Sequence, residues 1–264
     1  MKNMVRRLIY AVPPLGRVYR RLRDRGWNRV PAQCEEGFSL YAPPLVLRLD
    51  RAERACFAAE ARRADVCIDV GAHVGYFTCI ACHAGTPTLA IEPCRDNLAV
   101  LKRNIALNEF ANVEVWPVAL GAKPGLAPIY GYSNIASLFS TWNVAVQTDT
   151  VAVSTLDLLL GDRFRGQRLL IKIDVEGFEA EVLAGAGDTL RREPKPVWML
   201  EIFRRHPMTG AVNEKFAGIF ATFWRAGYES VEVKDELRPF GADDFDAPGL
   251  GANFLFRARQ NIAT

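Results

Sequence analysis

The chain has 264 residues, of which 50% are hydrophobic and 24% are charged, and its formal net charge is +3. This composition and length suffice for one sizeable core with a short appendage. No run approaches the roughly 20 apolar residues of a bilayer span. The start lacks the pattern of a signal peptide, so we expect a cytoplasmic protein.

The first thirty residues are strongly basic. They contain nine Lys or Arg residues and one Asp, interleaved with Leu, Ile, Val and Tyr. A solvated amphipathic helix on the domain is the favoured interpretation, and peripheral contact with an anionic membrane is the alternative. We expect residues 1–60 to form an N-terminal extension and residues 61–264 to form the main domain. No pattern in the sequence indicates an oligomeric state.

All six cysteines lie between residues 34 and 94, several within apolar runs, which favours a reducing compartment. Cys79, Cys82 and His83 match the C-x-x-C-H pattern of covalent haem attachment. The segment falls inside a predicted helix against the sheet, so we expect no haem there.

From Asp65 onward, short β-rich apolar runs alternate with helical patterns, which predicts an α/β fold with a mostly parallel sheet. Seven strands are predicted, at residues 65–70, 88–92, 113–119, 169–174, 197–202, 229–234 and 253–257. Pro117 removes a ladder hydrogen bond, so the third strand should lie at a sheet edge. Residues 120–165 should form a long connection on the substrate side, without a clear helix before Leu156–Leu160.

A glycine turn, DVGAHVGY, follows the first strand from Asp69 onward. The dinucleotide fingerprint is incomplete, because His73 and Tyr76 stand where it requires glycine. An acidic strand end with Gly71 and Gly75 suits a ligand with an amino-acid moiety and no pyrophosphate, such as S-adenosylmethionine. We expect five residues of this turn to bind the cofactor: Asp69, Gly71, His73, Gly75 and Tyr76.

Glu92 ends the second strand, about 20 residues after the first glycine of the turn. A carboxylate at this place can accept both hydroxyls of a ribose. Because nicotinamide cofactors also contain ribose, Glu92 indicates a nucleoside without distinguishing the two cofactors.

The fourth strand ends in the acids of KIDVEGFE, at a place where open α/β sheets bind their ligands. Asp174 and Glu176 are therefore candidate catalytic residues, because a carboxylate of raised pKa can take the proton of a hydroxyl acceptor. Lys172 and Glu179 are further candidates. Lys172 lies on the same strand face as Asp174 and can instead form a structural ion pair, and Glu179 can instead favour the helix dipole.

Two weaker candidates follow the fifth strand. Glu201, at its end, could join Asp174 and Glu176 around a hard metal ion, although we predict no metal site. His206 could reach the acceptor or lie on the surface.

The sequence resembles the FkbM-type methyltransferases between about residues 60 and 257. The matching segments are 69–78, 91–93 with Asn97, 112–121, 153–160, 172–186 and the terminal NFLFR. The resemblance implies a Rossmann-like class I methyltransferase fold with strand order 3-2-1-4-5-7-6. It implies S-adenosylmethionine as cofactor, with Asn97 and Ala119 among its contacts. His73 departs from the family, in which this position is usually Asn.

The family methylates hydroxyl oxygens, often of sugars or small metabolites, so the expected partner is a small-molecule or carbohydrate hydroxyl substrate. An acidic pocket would repel phosphates, and no nucleic-acid partner is expected. Two alternatives stay open at this point: a nicotinamide-dependent oxidoreductase, and a non-catalytic membrane-associated scaffold on the same fold.

Overall fold

The computed structural model describes residues 30–44, 46–130, 147–205, 210, 212–234, 237–247 and 249–259. The predicted basic arm, apart from its last residue, and His206 lie outside the described residues. No helix in the described ranges is long and apolar enough to cross a membrane.

Thirteen strands and seven α-helices are seen in the described residues. The strands are β1 Ala32–Gln33, β2 Ser39–Leu40, β3 Val66–Val70, β4 Thr88–Ile91, β5 Val113–Trp116, β6 Ala119–Leu120, β7 Gly125–Tyr130, β8 Gln147–Ser154, β9 Leu169–Ile173, β10 Val197–Glu201, β11 Tyr228–Glu232, β12 Arg238–Phe240 and β13 Asn253–Ala258. The helices are α1 Arg51–Ala61, α2 Tyr76–His83, α3 Arg95–Leu107, α4 Leu156–Leu160, α5 Glu179–Ala184, α6 Gly187–Leu190 and α7 Phe216–Arg225, and 3-10 turns cover Val46–Arg48 and Ala242–Asp244.

The central sheet has eight strands in the order β12-β11-β13-β10-β9-β3-β4-β5. Within this sheet, β5, β4, β3, β9 and β10 run parallel to one another. Strand β13 is antiparallel to both β10 and β11. The seven predicted strands are all present in the expected order 3-2-1-4-5-7-6. The Rossmann-like α/β fold is therefore confirmed, with β12 as an eighth strand at the edge.

Two details of the strand prediction are wrong. The third strand ends at Trp116, because Pro117 has no N–H to continue the ladder, although β5 does lie at the sheet edge. Residues 120–165 are not a plain loop, since β6, β7 and β8 form a second sheet in the order β6-β8-β7. The enrichment of β8 in β-branched residues was the signal for this strand. The predicted helix at Leu156–Leu160 is present.

The central sheet is buried on both faces, as expected for a parallel sheet between helices. Alternate residues of β10 show this clearly. Trp198 and Leu200 pack into the larger core with helices α4 to α7, whereas Met199 packs into a second core with Phe57 of α1 and Phe77 of α2.

Residues 30–61 pack on this second face. Helix α1 starts at the N-cap Asp50, whose carboxylate accepts a hydrogen bond from the N–H of Ala52 at 2.7 Å. It then crosses the expected domain boundary at residue 60, and Phe57 anchors it in the core. Arg48 and Leu49, just before α1, lie in the same cavity wall as Gly71 and Asp174 at the carboxyl ends of the central strands.

Candidate active site

A cavity of about 510 Å³ lies at the carboxyl ends of β3, β4, β9 and β10. Its wall is contributed by four parts of the chain: the segment before and within α1, the turns after β3 and β4, the start of the second sheet, and the ends of β9, β10 and β13. The lining residues are Val46, Arg48, Leu49, Asp50, Glu53, Asp69, Val70, Gly71, Ala72, His73, Tyr76, Phe77, Ile91, Glu92, Pro93, Asn97, Val118, Ala119, Leu120, Ile129, Asp174, Val175, Glu176, Phe178, Glu201, Phe203 and Asn253.

The glycine turn after β3 contains two glycines with different roles. Gly71 has a φ of +84°, and a Cβ there would lie 1.9 Å from the carbonyl oxygen of Asp174. Gly71 therefore permits β3 and β9 to meet at the cavity wall. Gly75 has a φ of +91°, and a Cβ there would lie 2.4 Å from Leu101. Gly75 does not line the cavity, and its missing side chain lets the turn pack closely against Leu101.

Asp69, in strand β3, lies at the base of the turn and is buried. Its carboxylate accepts a hydrogen bond of 2.6 Å from the Thr78 hydroxyl. Burial raises its pKa, against the lowering effects of Lys172 and of this hydrogen bond.

Glu92 is buried and its carboxylate accepts three hydrogen bonds. Oε2 accepts from the backbone N–H of His73 at 2.9 Å, and Oε1 accepts from the N–H of Cys94 at 2.8 Å and from the Asn97 amide at 3.2 Å. Burial raises the pKa of Glu92 to about 7, although these hydrogen bonds act to lower it. A carboxylate has about four acceptor sites, so Glu92 is held rigidly and keeps capacity for a ligand hydroxyl.

His73 has a φ of +52°, in the left-handed region that Asn and His enter more readily than most residues. The departure from the family's Asn therefore keeps both the local backbone and the N–H bond to Glu92. Burial lowers the pKa of His73 to about 4, so its ring is neutral. Its Nε2 is buried without a hydrogen-bond partner, as is Oδ1 of Asn253 across the cavity wall.

The remaining predicted cofactor residues, Tyr76, Asn97 and Ala119, also line the cavity. The Tyr76 hydroxyl donates to Glu36 at 3.0 Å and accepts from Arg54 at 3.3 Å. Residues of the N-terminal segment thus hold one wall in place.

On the β9 side, acidic groups surround one buried lysine. Lys172 is 1% exposed, and its Nζ donates to Oδ2 of Asp174 at 3.0 Å and lies 3.6 Å from Oε1 of Glu53. It also lies 4.2 Å from the centre of the Phe77 ring. The ion pair with Asp174 considered from the strand register is therefore present. Lys172 does not line the cavity and supports Asp174 from behind.

Asp174 and Glu176 both line the cavity. Burial acts to raise the pKa of Asp174, but the charge of the neighbouring Lys172 outweighs it, and the pKa is lowered. Burial and the charges of Asp174 and Glu179 raise the pKa of Glu176 to about 8. Glu176 also has a φ of +53°, a strained conformation that is common at functional sites.

Glu179 lies away from the cavity lining. It is the first residue of α5, and its Oε1 accepts a hydrogen bond from the N–H of Gly177 at 3.0 Å. Burial raises its pKa to about 7. The structure thus places it at the turn and the helix start, the alternative considered for it from the sequence.

Several lining residues escaped the sequence prediction. Glu53 comes from the presumed extension, and Phe203 lies outside the matching segments. Asn253 begins the matching NFLFR segment, but no site role was predicted for it; the sheet order, which puts β13 beside β10, was the signal for its place at the cavity. Within the described ranges, no group of three or more His, Cys, Asp or Glu side chains is arranged to hold a metal ion. The C-x-x-C-H segment lies in α2 with both cysteines buried.

Comparison with solved structures finds precorrin-6y C5,15-methyltransferase from Geobacter metallireducens, at 13% identity and a TM-score of 0.45, covering 84% of this chain and 93% of that one. An O-methyltransferase from Bacillus cereus in complex with SAH shares 10% identity, with a TM-score of 0.46 and coverage of 79% and 80%. Similarity at this level does not bear on substrate or mechanism. The sequence matches none of the curated proteins with which it was compared.

Comparison with protein families is more informative. The family model described as the methyltransferase FkbM domain matches residues 69–230, which is more than half of the chain. This range includes the glycine turn, Glu92 and the acidic end of β9. The chain belongs to the FkbM methyltransferase family and is an S-adenosylmethionine-dependent methyltransferase.

Proposed function

We propose that this enzyme transfers the methyl group to a hydroxyl oxygen of a sugar, a saccharide or another small metabolite. The observation that carries the proposal is that Asp174 and Glu176 line the same cavity as Glu92 and the glycine turn. An acceptor at this edge of the sheet would contact both a fixed carboxylate and one of near-neutral pKa. Methyl transfer to a hydroxyl requires such a proton acceptor.

The residues of the β3 and β4 side fit the cofactor. Glu92 would accept the ribose hydroxyls, with Asn97 and the N–H of His73 holding its carboxylate. The buried Nε2 of His73 and Oδ1 of Asn253 need polar partners, which a ligand can provide. Gly71, Tyr76 and Ala119 would form the wall around it. When bound, S-adenosylmethionine supplies an activated methyl group on a sulfonium.

Glu176 is the proposed general base. A group with a pKa of about 8 is partly ionised at neutral pH and strong enough to accept the proton that the hydroxyl loses. Asp174 is kept ionised by Lys172 and would orient the acceptor hydroxyl as a hydrogen-bond acceptor. Lys172 and Glu179 support these groups and do not touch the acceptor.

The acidic character of the cavity wall restricts the chemical class of the acceptor. Seven Asp or Glu side chains line the cavity, whereas Arg48 is the only Lys or Arg side chain among the described lining residues. Phosphate-rich acceptors are therefore disfavoured, which supports a neutral carbohydrate or metabolite over a nucleic acid. The family match likewise favours methyl transfer over the nicotinamide oxidoreductase.

The test is a methyl-transfer screen with labelled S-adenosylmethionine and a panel of monosaccharides, oligosaccharides and hydroxylated metabolites, each with its deoxy analogue. We expect a base-stable methyl ether on one hydroxyl, and no product from the matching deoxy compound. Methylation of nitrogen or carbon in preference to oxygen would contradict the proposal.

A further inference from the structure

The cavity wall contains a buried acceptor atom without a donor. Among the described residues, five buried side-chain nitrogen or oxygen atoms have no hydrogen-bond partner, and two of them, Nε2 of His73 and Oδ1 of Asn253, belong to residues that line the cavity. A buried polar atom without a partner is costly in free energy, and native proteins rarely leave one unsatisfied. Oδ1 of an asparagine accepts hydrogen bonds, so Asn253 requires a donor group.

The backbone of Asn253 is tied to both neighbouring strands. Its carbonyl oxygen accepts a hydrogen bond from the N–H of Val233, just after β11, at 2.9 Å. The carbonyl oxygen of Ala252 accepts one from the N–H of Ile202, just after β10, at 2.6 Å. Asn253 therefore has a fixed position at the start of β13, where its side chain lines the cavity.

The strand register shows which face of the sheet carries this side chain. Asn253 lies opposite Glu201, and Leu255 lies opposite Met199. Met199 and Leu255 both pack into the second core, on the face covered by α1 and α2. Because side chains alternate along a strand, Asn253 and Glu201 lie on this same face. Lys172, which lies opposite Met199 on the next strand, shares it, so Asn253 belongs to the acidic side of the cavity.

Neither the cofactor nor the reacting hydroxyl suits Oδ1 of Asn253 as a donor. The glycine turn and Glu92 follow β3 and β4, the third and fourth strands away from β13. With about 4.8 Å between neighbouring strands, these are separations of roughly 14 and 19 Å. A hydroxyl has a single O–H, and the hydroxyl that is methylated gives its proton to Glu176 in the proposed reaction. The donor must therefore be a different group of the acceptor.

We propose that Asn253 determines acceptor specificity, and that its Oδ1 accepts a hydrogen bond from a second hydroxyl group of the acceptor, one that is not methylated. The preferred acceptor is then a polyhydroxylated molecule, such as a saccharide, and not a compound with one hydroxyl. This inference rests on the proposed function for the location of the acceptor at the acidic side of the cavity.

The test uses the compound that the labelled screen shows to be methylated, whichever of its atoms receives the methyl group. Values of kcat/KM are compared for this acceptor and for analogues that each lack one non-reacting hydroxyl. With the unaltered enzyme, one analogue should lose about tenfold to hundredfold in kcat/KM, because Oδ1 of Asn253 then stays buried and unpaired. Equal kcat/KM for the parent acceptor and every analogue would overturn the proposal.

Two variants of Asn253 separate recognition from a structural role. Asn253→Leu keeps the approximate size but removes the acceptor atom, so the parent compound and the sensitive analogue should become nearly equal substrates. Asn253→Asp keeps an oxygen acceptor, so the preference for the parent should persist whatever the overall rate. A purely structural role would lower kcat/KM by the same factor for both compounds. That result with Asn253→Leu, or an equal loss of preference in both variants, would overturn the proposal.

Calorimetry with S-adenosylhomocysteine tests the location of the site without any acceptor. Asn253→Leu should bind this ligand as the unaltered enzyme does, whereas about a tenfold or greater loss of affinity would place Asn253 at the cofactor and overturn the proposal. Thermal unfolding checks the fold of the variant, and Asn253→Ala replaces Asn253→Leu if the larger side chain is not accommodated. Methylation at nitrogen or carbon would contradict the proposed function, yet the comparison of analogues would still test the second hydroxyl.

Discussion

Glu92, on the β4 side of the cavity, accepts three hydrogen bonds from the chain, whereas Asp174 and Glu201, on the β9 and β10 side, lie near the charge of a single buried lysine, Lys172. The Glu92 carboxylate is held in a fixed orientation by hydrogen-bond donors of the chain, which suits binding of the same cofactor in every reaction cycle. The β9 and β10 side places several acids near one buried cation. We infer that the cavity separates cofactor binding from proton handling, with Gly71 joining the two sides.

The largest effect is expected on the acidic side. Glu176→Gln removes the proposed base while keeping the size of the side chain, so kcat should fall by roughly 10²–10⁴-fold. Affinity for S-adenosylhomocysteine, measured by calorimetry, should change little because Glu92 is intact. Glu229→Gln, at an exposed position on β11, is the matched control and should leave kcat unchanged. A Glu176→Gln enzyme with normal kcat would rule out this base.

On the cofactor side, Glu92→Ala should affect binding first. The substitution removes the proposed ribose acceptor and leaves the N–H groups of His73 and Cys94 and the Asn97 amide without their acceptor. We expect affinity for S-adenosylhomocysteine to fall about 100-fold or more, a loss that calorimetry measures directly. If Glu92→Ala bound S-adenosylhomocysteine as tightly as the unaltered enzyme, the assignment of cofactor binding to the β4 side of the cavity would be wrong.

Lys172→Met tests how the acidic cluster is stabilised. Removing a buried cation leaves Asp174 and Glu53 unpaired, and breaking a buried pair in this way costs about 3–5 kcal/mol. Chemical denaturation at neutral pH should show this loss, and it should shrink at acidic pH, where the carboxylates become protonated. Lys123→Met, at an exposed position, should change the unfolding free energy by less than about 0.5 kcal/mol.

The smallest effect is expected for Glu53. Burial raises its folded pKa to about 6, so its contribution to stability is present below the ordinary glutamate pKa and is lost as pH rises through about 6. Glu53→Gln should therefore gain stability relative to the unaltered enzyme between pH 4.5 and 7, by about 2 kcal/mol at most. Denaturation curves at several pH values measure this difference, and a relative loss over the same range would contradict the assignment.

Much of the fold could be predicted from the sequence. The apolar runs located seven strands of the central sheet, and Pro117 correctly placed the third at an edge. The second sheet was missed because its strands lie in a segment rich in turn residues, and only β8 is rich in β-branched residues. The edge strand β12 has three residues and contains a proline, too little for a period to emerge.

The site was predictable where its residues follow a strand end. Gly71, Glu92, Asp174 and Glu176 all line the cavity, as expected from the rule that ligands bind at the carboxyl ends of parallel strands. Glu53 was not foreseen, because its position depends on how the N-terminal segment packs on the sheet. Such tertiary contacts leave no local pattern in the sequence.

The proposed proton transfer to Glu176 is tested most directly by the pH dependence of kcat/KM for methylation of the hydroxyl acceptor. Because Glu176 must be ionised to accept a proton, kcat/KM should rise with pH and level off above a midpoint near 8, and Glu176→Gln should lose this rise. A profile that is flat between pH 6 and 9, or one that Glu176→Gln leaves unchanged, would contradict the account.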